Sequence, residues 1–242
     1  MSTPPIKQKA TILQIIDQAE LVKTFRLKLE KPLSFKPGQF ITIFAGNGPA
    51  AGAGAASPAP AKAYSISSPP RKDYIDITVK MVGRFPEGVF AKLKVGDAIE
   101  FLGPSGVFVF DKEKTKKPVF LAAGIGITPF MSMLEYIKSN GLETHAVLFY
   151  SNRTVAGVAF LKRLEELDGD NIKIVNSITR ETPAQWKGEL ERINMGMIRK
   201  YVDVSDKDCT FYLCGSADFV RELVQQLMDS GVEQVRIIKE EF

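Results

Sequence analysis

The first hundred residues alternate between apolar and polar positions with the two-residue period of half-buried β-strands. The pattern is clearest in residues 7–17, KQKATILQIID, and in residues 19–30, AELVKTFRLKLE. Further strands are predicted at residues 39–45, 63–67, 74–82 and 98–102. Many short strands separated by turn residues predict a small antiparallel barrel. A short helix is predicted at residues 89–93, introduced by Gly88.

From residue 118 onward, apolar runs of strand length alternate with segments that have helical spacing. The predicted strands are 118–123, 144–151, 171–178, 209–214 and 234–239, and the predicted helices are 128–139, 155–167, 194–201 and 216–229. Such alternation predicts a parallel sheet with helices on both faces. The expected fold is therefore two-domain: an antiparallel Greek-key β-barrel at residues 1–110, followed by a Rossmann-like α/β parallel-sheet domain at residues 111–242. Ser216 is the expected N-cap of the last helix.

The most informative stretch is the turn between the first parallel strand and its helix. Gly124 and Gly126 follow the apolar run, and Thr128-Pro129 opens the helical pattern. Such a turn directs backbone N–H groups and a helix N-terminus at one point, which suits a pyrophosphate. A side chain at Gly126 is expected to block the backbone's approach to that group and to force a disfavoured backbone angle. The spacing G-x-G-x-x-P differs from the usual dinucleotide fingerprint, so a purely structural turn is the alternative.

The composition excludes several classes of protein. The hydrophobic content of 45% and the charged content of 25% are globular values, and the net charge of +4 is too scattered to indicate nucleic-acid binding. No apolar run is long enough for a membrane span and no signal peptide is evident, so a cytoplasmic location is expected. Two cysteines and one histidine exclude an iron–sulfur cluster built by this chain and disfavour zinc, so no metal is expected. Redox chemistry would need an organic cofactor.

Residues 46–61, GNGPAAGAGAASPAPA, cannot contribute to a core and are predicted to form a mobile surface loop. The loop precedes Lys62-Ala63-Tyr64-Ser65, so it is expected to overhang whatever that strand binds.

Five motifs in order, KAYS, GVFA, GPSGVF, AAGIGITP and YLCGSADF, resemble those of the ferredoxin–NADP reductase superfamily. The resemblance spans nearly the whole chain. It implies an FAD-binding barrel, an NAD(P)-binding α/β domain and hydride transfer between a nicotinamide and the flavin, which then passes electrons to an acceptor such as ferredoxin or flavodoxin. FAD is expected rather than FMN, because two phosphate-binding elements are present.

The resemblance assigns candidate cofactor contacts to five segments. They are Lys62-Ala63-Tyr64-Ser65, Thr78-Val79-Lys80, Gly88-Val89-Phe90-Ala91, the turn with Gly124, Gly126, Thr128 and Pro129, and Cys214-Gly215. In the family, the first segment grips a phosphate, covers one face of the flavin ring and places a hydroxyl near its reactive nitrogen. The candidate catalytic residues are Tyr64, Ser65, Cys214 and Glu240. Phe242 is expected either to cover the flavin or to be a core residue at the end of a strand.

Two departures from the family pattern leave alternatives open. Lys62 replaces an arginine that would bind phosphate with two parallel hydrogen bonds, and Ala91 lacks a hydroxyl. The chain is interpreted as a stand-alone reductase, with an electron-transfer subunit of a larger complex or a nucleotide-binding module without turnover as alternatives.

For the nicotinamide nucleotide, the end of the second parallel strand offers Ser151-Asn152-Arg153, and the end of the third offers Thr179-Arg180. The Thr-Arg pair resembles the Ser-Arg pair that holds the 2′-phosphate in NADP-dependent relatives. The sequence therefore favours NADPH over NADH, with solvated loop arginines as the alternative.

Overall fold

The fold is described from a computed structural model that covers residues 5–45, 60–71 and 73–242. Residues 46–59 of the predicted mobile loop lie outside these ranges, so that prediction stays open. Six strands form the first sheet: β1 (Ile6–Ala19), β2 (Val22–Leu29), β3 (Phe40–Phe44), β4 (Ala61–Ser65), β5 (Tyr74–Lys80) and β6 (Ala98–Ser105).

The six strands pair only antiparallel, in the order β4-β3-β6-β1-β2-β5. The residue that follows β4, Ile66, forms an isolated antiparallel bridge with Ile77 of β5, so the two outer strands approach each other there. The Ser67 N–H also donates to the Asp76 carbonyl at 2.8 Å. This seam between β4 and β5 closes the barrel around a core that includes Phe25 and Phe101. The predicted antiparallel barrel is confirmed.

The helix predicted at 89–93 was misplaced. Helix α1 spans Arg84–Gly88, and a separate 3-10 turn follows at Phe90–Lys92. The earlier start has a local cause, because the Glu87 carboxylate accepts the Gly83 N–H at 3.0 Å and Pro86 fits a first helical turn. Gly88 therefore ends a helix instead of introducing one.

The second sheet has five parallel strands in the order β11-β10-β7-β8-β9. They are β7 (Lys117–Ala123), β8 (Ala146–Asn152), β9 (Ile172–Ile178), β10 (Cys209–Gly215) and β11 (Ile237–Glu241). The helices are α2 (Ile127–Ser139), α3 (Leu161–Leu167), α4 (Met195–Tyr201) and α5 (Ala217–Asp229). One core lies under α2 and α3, and another under α4 and α5, which confirms helices on both faces of a parallel sheet.

Several predicted boundaries moved for identifiable reasons. The helix predicted at 155–167 is split into a 3-10 turn, Val155–Gly157, and α3, because Phe160 has φ 61° between them. The last strand begins only at Ile237, since a 3-10 turn precedes it. Ser216 does stand at the N-cap of α5, but its side chain makes no capping hydrogen bond.

The two domains contact each other along α2. Val22 of β2 belongs to the same buried cluster as Phe130 of α2. The Ser132 hydroxyl of α2 donates to the Ser68 carbonyl at 2.7 Å. Strand β5 packs against the turn Gly124–Gly126, which precedes α2. Within the described part of the chain, no helix is long and apolar enough to cross a membrane.

Candidate cofactor site

The order of the parallel sheet places a topological switch point between β7 and β10. From β7 the chain proceeds outward to β8 and β9, whereas β10 and β11 lie on the other side. Ligands of open α/β sheets bind at the carboxyl ends of the strands at such a point. Here those ends carry the turn Gly124–Gly126 and the pair Cys214-Gly215.

The two glycines of the turn are constrained differently. Gly124 has φ 53°, and a Cβ built on it would meet no atom within 4 Å. Gly126 has an ordinary helical φ of −62°, so the predicted disfavoured angle at this residue is wrong. A Cβ at Gly126 would instead lie 2.3 Å from the Cys214 carbonyl oxygen and 2.9 Å from the Gly215 nitrogen. Gly124 therefore borders the open space over the turn, while Gly126 allows the turn to pack on β10.

Thr128 and Pro129 are buried in the first turn of α2. The Thr128 hydroxyl donates to the Ile125 carbonyl at 3.0 Å, so its hydrogen is used to hold the glycine turn. Pro129 is the third helical residue instead of the first, a position where a backbone N–H still has no intrahelical partner. Both residues shape the turn from beneath.

Cys214 and Glu240 are register partners on β10 and β11. Cys214 is buried, and its burial, followed by the charge of Glu240, raises the pKa of the thiol. Burial also raises the pKa of the Glu240 carboxyl. The raised pKa keeps the thiol neutral, and a neutral thiol is not a nucleophile.

Phe242 follows β11 and is anchored through its backbone. Its N–H donates to the Gly215 carbonyl at 3.3 Å. The side chain is 65% exposed, which contradicts the core alternative. Coverage of a flavin ring by Phe242 stays a prediction.

Strand β4 presents the first candidate segment at an edge of the barrel. Lys62 and Ala63 are exposed and Ser65 is half-buried. The Tyr64 ring lies edge-on against Phe90, with centroids 5.0 Å apart. Its hydroxyl is buried without a hydrogen-bond partner among the described residues, and this burial raises the pKa of Tyr64.

Strand β5 and the segment after α1 complete the barrel side of the candidate site. The Thr78 hydroxyl lies 2.7 Å from that of Thr24 and 2.8 Å from that of Ser67, and Val79 belongs to the barrel core. Lys80 is exposed. In the segment after α1, Phe90 is buried, whereas Gly88 and Ala91 are exposed and Val89 is half-buried.

The ends of β8 and β9 are joined by their backbones. The Thr179 N–H donates to the Asn152 carbonyl at 3.0 Å, and the Arg180 N–H donates to the Arg153 carbonyl at 2.9 Å. Both arginines are exposed, and in the described ranges neither guanidinium pairs with a carboxylate. Ser151, half-buried at the end of β8, lies beside them.

The carboxylate nearest these arginines in sequence, Glu181, accepts the N–H of Val155 instead. Sequence reasoning missed Asn176, whose Oδ1 atom is buried without a partner in the described structure. The only sequence signal for it was a polar residue inside an apolar strand.

Comparison with known families assigns each half of the chain. Residues 9–110 match the oxidoreductase FAD-binding domain, and residues 120–225 match the oxidoreductase NAD-binding domain. The chain therefore consists of an FAD-binding and an NAD-binding oxidoreductase domain.

The curated relatives include the flavohemoprotein of Oceanobacillus iheyensis, which is 25% identical over 96% of this chain and 58% of its own length. The chain thus spans little more than half of that protein. Two solved structures share the fold. One is the flavohem-like FAD/NAD-binding domain of nitric oxide dioxygenase from Vibrio cholerae O1 biovar El Tor, with 20% identity, coverage of 97% of this chain and 98% of that one, and a TM-score of 0.84. The other is a ferredoxin NADP+ reductase from Neisseria gonorrhoeae with bound FAD and NADP, with 22% identity, coverage of 97% and 98%, and a TM-score of 0.79.

The described residues fit both nucleotides. The open space above Gly124 leaves room for close approach of a pyrophosphate to the turn. On the barrel, Lys62 supplies an exposed cation on β4. Phe90 and Ala91 stand at the start of a 3-10 turn, where the first N–H groups lack intrahelical partners.

Proposed function

We propose that this chain is the reductase unit of an electron-transfer system, taking a hydride from NAD(P)H onto FAD and delivering electrons to a separate acceptor protein. The supporting observation is the packing of β5 against the turn Gly124–Gly126. This contact brings the seam between β4 and β5, which carries the candidate flavin residues, to the switch point of the parallel sheet. Two stacked rings held at such a junction have the positioning that hydride transfer needs.

The protein's own residues would bind and orient the two nucleotides. Tyr64, fixed by Phe90, would form a wall for one ring face, and Lys62 would hold a flavin phosphate. Flavin, when bound, accepts the hydride and releases its electrons one at a time. Cys214 and Glu240, register partners on β10 and β11, would line the nicotinamide pocket.

The proposed acceptor is a one-electron carrier protein. Ferredoxin or flavodoxin remains the specific prediction from the sequence.

Anaerobic titration of the purified, flavin-loaded protein with NADH and NADPH tests the proposal. We expect the visible flavin absorbance to bleach within seconds, and a one-electron protein acceptor, cytochrome c, to restore it. Flavin that stays oxidised under excess of both nucleotides would instead support a binding module without turnover.

We also propose that NADPH is preferred over NADH. Arg153 and Arg180 lie on adjacent strand ends, are linked through their backbones and have no carboxylate partner among the described residues. Glu181, the acidic residue closest in sequence, is held at the Val155 N–H, away from the role of binding a ribose diol. Two available guanidinium groups suit a 2′-phosphate.

A further inference from the structure

A second cleft lies between the two domains, and no candidate cofactor residue lines it. Its volume is about 240 Å³. The barrel contributes residues of β1, β2, β5 and the segment after β4, and the α/β domain contributes residues of α2 and of Phe160–Arg163. Nothing in the proposed reductase activity uses this space.

Two arginine–carboxylate pairs face the cleft, one from each domain. Arg26 of β2 donates through Nε and Nη2 to the two carboxylate oxygens of Asp76, at 2.9 Å each. Arg163 of α3 donates through Nε and Nη2 to Glu135 of α2, at 2.5 and 2.9 Å. The Nη1 of Arg163 is also used, since it donates to Glu166 at 2.8 Å. Arg163 therefore has few donors left for a ligand.

Arg26 and Arg71 retain available donors. The Nη1 of Arg26 makes no hydrogen bond within the described structure, and Arg71 has no ion pair there. Both guanidinium groups lie against one ring: the distances from Cζ to the Tyr74 centroid are 4.3 Å for Arg26 and 5.6 Å for Arg71. Arg26 and Arg163 are paired with carboxylates, and Arg71 carries a positive charge without a carboxylate partner in the described structure. A monoanion complements that charge.

The rest of the lining is suited to an apolar body. Ile16, Pro69, Met131 and Phe160 line the cleft together with Tyr74 and supply its apolar surface. Small-molecule sites combine such walls with a few convergent polar groups that fix orientation. Inorganic phosphate alone would leave these walls in contact with water, so the lining favours an organic anion.

We propose that this cleft binds a small monocarboxylate with an apolar or aromatic body. The carboxylate would lie between Arg71 and the free side of Arg26, with the body against Met131 and Phe160. Such a ligand would touch both domains. The proposal is independent of the acceptor and of the nicotinamide preference.

Benzoate is the probe, and the methyl resonance of Met131 in the flavin-loaded protein is the readout. We expect a saturable shift with benzoate and at least tenfold weaker binding of benzyl alcohol, which has the ring without the charge, and of inorganic phosphate, which has the charge without the ring. Arg71→Ala should weaken benzoate binding about tenfold, which corresponds to ~1.4 kcal/mol. The matched control is Arg199→Ala on α4, an exposed arginine on the opposite face of the sheet, which should change it less than twofold.

Three outcomes would overturn the proposal: no saturable shift with benzoate, equal affinities in the two arginine variants, or phosphate binding as tightly as benzoate. Arg71 is exposed, so its replacement should leave the urea unfolding midpoint unchanged. If that midpoint falls, Arg71→Lys replaces the variant. Lysine keeps the positive charge but lacks the planar guanidinium, so the Arg71→Lys variant is expected to bind benzoate more weakly than the wild type but not to lose binding. If this variant binds benzoate as tightly as the wild type, the role of the guanidinium is contradicted.

Discussion

Replacing each turn glycine by alanine separates a packing role from a ligand-binding role. Gly126→Ala would place a Cβ 2.3 Å from the Cys214 carbonyl oxygen and 2.6 Å from the Cys214 carbonyl carbon. Both atoms belong to the backbone of β10, which is paired on both sides in the sheet, so displacing them costs free energy. Gly124→Ala adds a Cβ where no atom lies within 4 Å, so it makes no steric clash. The backbone there has φ 53°, however, which is a left-handed conformation that alanine disfavours.

The structure gives different magnitudes for the two substitutions. Relief of the contact at Gly126 requires the turn to move by about 1 Å, and overpacking of this kind costs ~3 kcal/mol. Alanine also lowers the conformational entropy of the unfolded chain, which stabilises the folded state by ~1 kcal/mol. The free energy of unfolding is therefore expected to fall by about 2 kcal/mol in total. For Gly124→Ala, holding an alanine in the left-handed backbone conformation costs ~1–2 kcal/mol. The same entropy effect offsets most of this cost, so the free energy of unfolding is expected to fall by about 0.5 kcal/mol.

Urea unfolding followed by tryptophan fluorescence measures this difference. Trp186 is the single tryptophan, and it packs against the core under α2 and α3, so it reports on the α/β domain. We expect Gly126→Ala to unfold at clearly lower urea than Gly124→Ala. In steady-state assays the order should reverse, because a methyl group on Gly124 enters the space above the turn and raises KM for the nicotinamide nucleotide. If Gly126→Ala is as stable as the wild type, or Gly124→Ala is the less stable variant, the assignment of the two glycines is refuted.

Three further predictions concern the candidate site. Tyr64→Ala should lower the flavin retained after gel filtration more than Ser65→Ala does, since an aromatic pair adds ~0.5–1.5 kcal/mol beyond burial; equal losses would contradict these roles. Because burial raises the pKa of Glu240 above 4.5, the folded chain holds a proton that the unfolded chain has lost, so the unfolding free energy should fall as the pH rises from 4.5 through the folded pKa. Glu240→Gln should flatten that part of the pH profile, and an unchanged slope would exclude Glu240 as its source. Arg180→Ala should reduce kcat/KM for NADPH about tenfold more than for NADH, as expected for one charged contact of ~1.5 kcal/mol; a wild type that prefers NADH and a neutral variant would rule out the 2′-phosphate site.

Hydrophobic periodicity was sufficient for most of the fold. It identified the strands and helices of the parallel sheet because each has a long, regular apolar pattern, as in Phe130, Met133, Leu134 and Ile137 of α2. It failed where a single backbone angle interrupts the pattern. Phe160 at φ 61° splits a predicted helix, and an apolar residue gives no local signal for a left-handed conformation.

The candidate site was harder to predict, because its geometry depends on contacts between distant segments. The packing of Gly126 on Cys214 joins residues that are far apart in sequence, so spacing alone assigned that glycine to a phosphate. The carboxylate of Glu181 was close to Arg180 in sequence, yet in the structure it accepts the Val155 N–H. The pattern did place Arg153 at an exposed strand end, where its role in binding a nucleotide stays a prediction.

The seam between β4 and β5 explains why one barrel could serve two binding sites. The ladder of β4 pairs it with β3 alone, so within the described structure the other edge of Ala61–Ser65 keeps backbone groups without strand partners. Such an edge must be covered, and a nucleotide bound along Lys62–Ser65 would cover it. At the other end of the seam, the Ser67–Asp76 hydrogen bond joins two residues that line the second cleft. A ligand at either site therefore contacts the same short closure of the barrel. The incomplete pairing of β4 and β5 therefore leaves a free edge at the proposed flavin site, and its closure lies beside the proposed carboxylate site.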